Sequence, residues 1–221
     1  MAERIPALFR KSAEGAVASY NYTDVDDGTG IVVYYGFNHH SDAADGYALT
    51  KTALYSNDIY TAVTCDKTGY EKEGDYDFDV EFNTPKRIKG KARFTYTIGA
   101  GSTAGNRRTE SYTIVKVRKW DGTTETEIAD AQSENVDGTT STAREYKTLN
   151  VEVNISTLQH FKKGDTLRIT IELWGKSSDS NGQIVFAHDP KDRVTDLPGS
   201  GSGTAPNTAL FEAHIPYVLD L

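Results

Sequence analysis

Tyr76-Asp77-Phe78-Asp79-Val80-Glu81-Phe82 and Leu167-Arg168-Ile169-Thr170-Ile171-Glu172-Leu173 decide the fold. In both stretches a large apolar side chain alternates with a polar one at every step. A strand sends successive side chains to opposite faces, so a period of two leaves one face oily and the other wet. On a helix the same residues would scatter around the axis. Ala92, Phe94, Tyr96 and Ile98 repeat the pattern, with Arg93, Thr95 and Thr97 between them. So do Leu149, Val151, Val153 and Ile155, spaced by Asn150, Glu152 and Asn154.

Outward from these four segments the chain reads as more strands joined by turns. Strands are expected at 31–35, 112–120, 124–128, 184–187 and 210–215. Asp121-Gly122 is a tight-turn signal that folds 124–128 back beside 112–120. Residues 47–55 and 59–64 read as a strand pair around Ser56-Asn57-Asp58. Two short helices are expected, one at 7–18, weakened by Gly15, and one at 156–163, where Ser156 can cap it, Leu158 and Phe161 share a face, and Gly164 can end it. Loops are expected at 99–108, 130–144 and 189–208, the last containing Gly199-Ser200-Gly201-Ser202-Gly203.

Sheets with one wet face close over each other, so the fold class is all-β, an antiparallel two-sheet β-sandwich. A jelly roll is the preferred topology. An immunoglobulin-like arrangement is the alternative, although its Cys…Trp…Cys signature is missing. The organisation expected is an extended N-terminal arm over 1–29, a sandwich over 30–216 and a C-terminal tail over 217–221.

Composition fits this class. Apolar residues make up 37% of the 221, a modest fraction that suits sheets solvated on one side. The net charge of −8 argues against nucleic acid as the main partner. Cys65 is the single cysteine, so no intrachain disulfide forms and an oxidising compartment is not implied. The first residues, Met1 to Pro6, lack a secretory pattern. No run of about 18 apolar residues exists, so no membrane partner is expected.

The sequence carries no catalytic signature. There is no G-x-S-x-G elbow, no phosphate-binding glycine loop and no calcium-loop spacing around Asp24, Asp26 and Asp27 or around Asp179, Asn181 and Gly182. His39-His40 with Asp42 and Asp45 reads as a polar loop, because adjacent side chains on a strand point apart. Asp77, Asp79 and Glu81 share a strand face. Two such carboxylates could form a glycosidase pair, but the alternation of 76–82 explains them completely as a solvated face. The expectation is therefore a chain that is not an enzyme, with no catalytic residues, no metal and no cofactor. Trp120 beside a turn and Trp174 at a strand end are the candidates for a sugar-stacking platform, against core packing as the plain alternative.

The segment from Ile155-Ser156-Thr157-Leu158 through Lys163-Gly164-Asp165 to Leu173-Trp174 resembles jelly-roll modules of the tumour-necrosis-factor and complement-C1q type. It is also similar to small β-sandwich virion proteins of tailed phages. Ile5-Pro6-Ala7-Leu8-Phe9-Arg10-Lys11 with Ala16-Val17-Ala18-Ser19-Tyr20 resembles the N-terminal arm of phage head proteins. The resemblance implies a capsid decoration, or cement, protein. Such a protein would be made in the host cytoplasm, sit on the capsid surface, form a homotrimer and bind the major capsid protein. An arm that orders on binding needs apolar anchors to offset its lost entropy. Ile5, Leu8 and Phe9 at one end, and Ile215, Tyr217, Val218 and Leu219 at the other, are the anchor candidates, with packing on their own domain as the alternative. A carbohydrate-binding module of a viral fibre or tail is the second functional expectation.

Overall fold

The computed structural model describes residues 29–38, 46–56, 59–102, 108–138, 144–178, 181–190 and 210–218. Its strands are β1 (Thr29–Asn38), β2 (Tyr47–Thr50), β3 (Tyr60–Cys65), β4 (Glu71–Glu81), β5 (Lys86–Ser102), β6 (Thr109–Trp120), β7 (Glu125–Gln132), β8 (Val136–Asp137), β9 (Arg144–Phe161), β10 (Thr166–Ser177), β11 (Gly182–Ala187) and β12 (Phe211–Val218). The fold is all-β, as the alternation requires, and the described residues include no helix.

Hydrogen bonds link the strands in the order β3-β11-β5-β12-β1-β2-β4-β10-β6-β7, with β9 on the other edge of β5 and β8 beside β6. All pairings are antiparallel except the short β2–β4 bridge at Ala48 and Asp79. The path curls so that β4, β10 and β6 face β11, β5 and β12. Rings meet across the gap: Phe78 of β4 stacks on Phe211 of β12 at 4.4 Å between centroids. The Tyr96 hydroxyl of β5 hydrogen-bonds the Thr113 hydroxyl of β6. The inward residues are the apolar halves of the alternating runs. Phe78, Phe94, Tyr96, Val115, Val117, Ile169, Ile171 and Leu173 are all fully buried. Each large one contributes about 1.5–3 kcal/mol by leaving water.

β11 reads as the continuous run Ile184-Val185-Phe186-Ala187 because both its faces are covered. Ile184 and Phe186 enter the main core, while Val185 and Ala187 pack with Ile59 and Tyr146. A strand buried on both sides loses its polar alternation.

Several expectations are corrected. Residues 156–161 are strand, not helix: β9 runs on to Phe161. The helix-like spacing arises from an irregularity, because the β5–β9 register shifts between Ile88 and Gly90, opposite Gln159 and Ile155. Extra residues on one strand bend it and disturb its alternation. Gly164 does take a left-handed conformation, with φ of 89°, but in the turn between β9 and β10. There Asp165 N donates to Lys162 O at 3.1 Å and Lys162 N to Asp165 Oδ2 at 2.6 Å.

The segments 47–55 and 59–64 do not pair with each other; β2 joins β1 and β4, while β3 joins β11. Part of each expected loop at 99–108 and 130–144 is strand, since β5 extends to Ser102 and β7 to Gln132. The expected arm at 1–29 lies outside the described residues except for Thr29, which begins β1. The expected tail is in part strand, because β12 continues through Tyr217 and Val218.

Candidate ligand-binding face

The outer face of the β4–β10–β6–β7 layer collects the polar halves of the same alternating runs. Register fixes the neighbours: Trp174 lies opposite Tyr112, Arg168 opposite Arg118, and Thr166 opposite Trp120 across β10 and β6. On the other side Trp174 lies opposite Lys72, Thr170 opposite Asp77 and Arg168 opposite Asp79 across β10 and β4.

An aromatic strip crosses one end of this face. The Tyr112 and Trp174 rings are nearly parallel, 5° between planes and 6.1 Å between centroids. Tyr70 follows at 5.0 Å from Tyr112. All three side chains are half-buried. The polar edges of Trp174 and Tyr70 are held by carboxylates. Trp174 Nε1 donates to Glu172 Oε2 at 3.1 Å, and the Tyr70 hydroxyl donates to Glu110 Oε2 at 2.9 Å. Lys176 Nζ sits 4.6 Å from the Tyr70 ring centroid and 3.0 Å from Glu110 Oε2. Burial, and then the bond to the charged Glu110, push the Tyr70 phenol up to about 12. Glu172 is 5% exposed. Burial alone would raise its pKa, but Lys116 at 3.0 Å, the Trp174 indole and Lys72 at 3.6 Å outweigh burial and hold it below the usual range. Charge-assisted bonds thus fix the two outer rings, and Tyr112 packs between them, which limits the entropy lost on contact with a ligand.

The opposite end is an ion-pair network around Arg168. Its Nε and Nη2 reach the two Asp79 carboxylate oxygens at 2.8 and 2.7 Å, a bidentate pair. Its Nη1 lies 3.0 Å from Glu125 Oε1 and 3.3 Å from Asp77 Oδ2. The guanidinium also lies 5.9 Å from the Trp120 ring centroid. Asp77 and Asp79 therefore both face Arg168. Burial raises the Asp77 pKa against the opposing pull of Thr170 and Arg168.

The structure places both candidate tryptophans half-buried on this one face, at its two ends. Of the anchor candidates, Ile215, Tyr217 and Val218 are among the described residues. Ile215 is fully buried and Tyr217 is 7% exposed, both in the main core, where the Tyr217 hydroxyl meets Tyr34 at 2.8 Å. Val218 is half-buried at the end of β12. The period-two pattern 211, 213, 215, 217 turns these residues inward, so their apolar surface is spent inside the sandwich. Ile5, Leu8, Phe9 and Leu219 lie outside the described residues, as do His39, His40, Asp42, Asp45, Asp24, Asp26, Asp27 and Asp179. Among the described residues no group of three His, Cys, Asp or Glu is placed to hold a metal ion.

Sequence reasoning missed Tyr70 and Tyr112. The signal was present for Tyr112, which occupies an outward position in β6 between Glu110 and Ile114. For Tyr70, which precedes β4, there was none. It also missed a buried polar cluster. Asp189, fully buried, accepts from the Ser56 amide at 2.9 Å, from the Ser56 hydroxyl, and from His188 Nδ1 at 3.2 Å. The Ser56 hydroxyl thus faces the carboxylate and not the imidazole. The cluster ties the segment before β3 to the end of β11.

No family model and no characterised protein matches the chain by sequence. Among solved structures, the chain is similar to a CocE/NonD family hydrolase from Staphylococcus aureus, with 11% identity and a TM-score of 0.47, covering 84% of this chain and 36% of that one. It is similar to an aminopeptidase from a Thaumarchaeota archaeon, with 9% identity and a TM-score of 0.43, covering 82% and 36%. It also matches a carbohydrate-binding module solved with β-1,4-galactotriose, with 11% identity and a TM-score of 0.27, covering 73% and 79%. Likenesses at TM-scores of 0.30 and below also reach Eiger TNF of S. frugiperda, infectious bursal disease virus and a pentameric capsid protein from metagenomic phage sequences. The expectation that the chain is not an enzyme is overturned by the hydrolase and aminopeptidase matches. The chain spans 36% of those proteins' length, and no residue role passes from them to this chain.

Proposed function

We propose that this chain is a virion β-sandwich module that attaches to carbohydrate through the outer face of β4, β10 and β6. The observation that carries the reading is the Tyr70–Tyr112–Trp174 strip, three oriented and half-exposed rings flanked by Glu110, Glu172, Lys72 and Lys176. Pyranose rings present flat C–H faces that pack on aromatic rings, while their hydroxyls take hydrogen bonds from charged side chains around the rim. The virion context rests on the resemblance of residues 155–174 to phage β-sandwich proteins. The test is a glycan array probed with the full chain and with Trp174→Ala. A glycan bound by the wild-type chain and lost by at least tenfold in the variant supports the reading. An array without hits, or hits indifferent to Trp174, refutes it.

A second reading, capsid decoration by a homotrimer bound to the major capsid protein, is favoured by Ile31. This residue is 40% exposed in the first described strand, directly after the segment expected to be an arm. Deleting residues 1–20 should leave a folded sandwich that no longer binds capsids. Undiminished capsid binding by the truncated chain would count against it.

A further inference from the structure

The face that carries the proposed sugar strip has a second aromatic at its far end, and the inference here rests on the carbohydrate reading. Tyr112 and Trp120 both point outward from β6, and their partners Trp174 and Thr166 both point outward from β10. Eight residues separate the two ends of the face along β6, about 27 Å at about 3.4 Å per residue. Between them lies a polar floor. Lys116 and Glu172 form one pair at 3.0 Å, and Arg168 with Asp77 and Asp79 forms the next group.

The charge on the floor is unbalanced. The β4 row that borders it reads Asp75, Asp77, Asp79 and Glu81, and Lys72 is the one cation in that strand. Glu125 and Glu127 border the other side, paired with Arg118 at 3.0 and 4.0 Å. Carboxylates outnumber cations on the face, as they do in the whole chain with its net charge of −8. A polyanion approaching it meets like charge. Hydroxyl groups do not, and the lysines, arginines and carboxylates of the floor offer them both donors and acceptors.

We propose that the ligand of this face is a linear, uncharged glycan lying along β10 and β6, stacked on Trp174 and Tyr112 at one end and on Trp120 at the other. A chain spanning the whole face engages both platforms, and the second contact gains from the first by effective concentration. Short oligosaccharides engage one platform and bind more weakly. Uronic-acid polymers are rejected by the carboxylate rows.

The experiment is affinity electrophoresis of the full chain through gels containing a β-glucan, a galactan, a mannan, polygalacturonate or alginate. Titration calorimetry follows, with oligosaccharides of increasing length cut from the polymer that retards. Trp174→Ala, Trp120→Ala and Trp120→Phe are run beside the wild type, with circular dichroism to check the fold. The expected result is retardation by a neutral polymer and by neither acidic one. Affinity should rise with oligomer length until the ligand spans the face. Trp120→Ala should lose at least tenfold for the long ligand and nothing for the shortest one that binds, and Trp120→Phe should recover most of the loss. Retardation by an acidic polymer overturns the charge argument. Loss of binding in Trp174→Ala with none in a folded Trp120→Ala overturns the extended site but leaves the carbohydrate reading standing. No retardation in any gel, with an empty array, removes both.

Discussion

Replacing Phe211 by Ala tests whether the two layers are closed by the ring stack that spans them. Phe211 is fully buried. Its ring lies 4.4 Å from Phe78, nearly parallel at 18°, and 6.0 Å and 6.1 Å from Phe186 and Tyr96. Phe78 comes from β4 in one layer, while the other three rings come from β12, β11 and β5 in the facing layer. Truncation removes the transfer free energy of the ring and leaves a cavity that close-packed aromatics fill poorly, which costs about 3–5 kcal/mol. In a chain of this size each kcal/mol lowers Tm by about 2–4 °C, so a fall of about 6–20 °C follows. Urea unfolding read by the fluorescence of Trp120 and Trp174 gives the free energy, provided the denaturant slope is unchanged. Leu54→Ala is the control: Leu54 is 43% exposed and its loss should stay within about 0.5 kcal/mol. The double variant Phe78→Ala/Phe211→Ala should fall short of additivity by about 0.5–3 kcal/mol, because the two rings share one contact. A Phe211→Ala chain no less stable than Leu54→Ala, or a double variant that is strictly additive, refutes the stacking argument.

Other outcomes follow from the same packing. Gly36→Ala should destabilise by about 1–3 kcal/mol through overpacking, since a methyl there would meet the His188 carbonyl oxygen and Phe211 Cδ1, each at 2.6 Å; a thermal melt equal to wild type would contradict it. Cys65 is fully buried, and burial, aided by Glu73, pushes its thiol up to about 12. A thiol reagent at neutral pH should therefore label it only as the chain unfolds, and rapid labelling of the folded protein would contradict this. Burial alone would raise the Asp189 pKa, but His188 and the Ser56 hydroxyl and amide outweigh it and hold the carboxyl below the usual range. A depressed folded pKa adds stability that is complete above the unfolded value of about 3.9 and is lost as pH falls through the folded one. Asp189→Asn should flatten that acid limb of the stability profile and cost about 1–3 kcal/mol near neutral pH; an unchanged limb in acid unfolding would show that Asp189 does not contribute to it.

The period of two in 76–82, 92–98, 149–155 and 167–173 determined the strands, the inward residues and the all-β class, because alternation is a local consequence of backbone geometry. It also turned Trp174, Arg168 and Glu172 to the wet face. Ser156, Leu158, Phe161 and Gly164 misled, since a register irregularity followed by a left-handed turn imitates helix spacing and a helix stop over so short a stretch. Tertiary packing decided the rest. Strand partners are chosen by surfaces far apart in sequence, which is why 47–55 and 59–64, adjacent in the chain, pair with different strands. Ile215 and Tyr217 could be read as partner anchors or as core, because alternation says that a strand has an apolar side, not what covers it. The aromatic strip needed Tyr70, Tyr112 and Trp174 to meet from separate segments, and the Asp189 cluster needed Ser56 and His188 to do the same. Local sequence sets the face each side chain takes; which faces come together depends on long-range pairing energies that no single stretch of chain encodes.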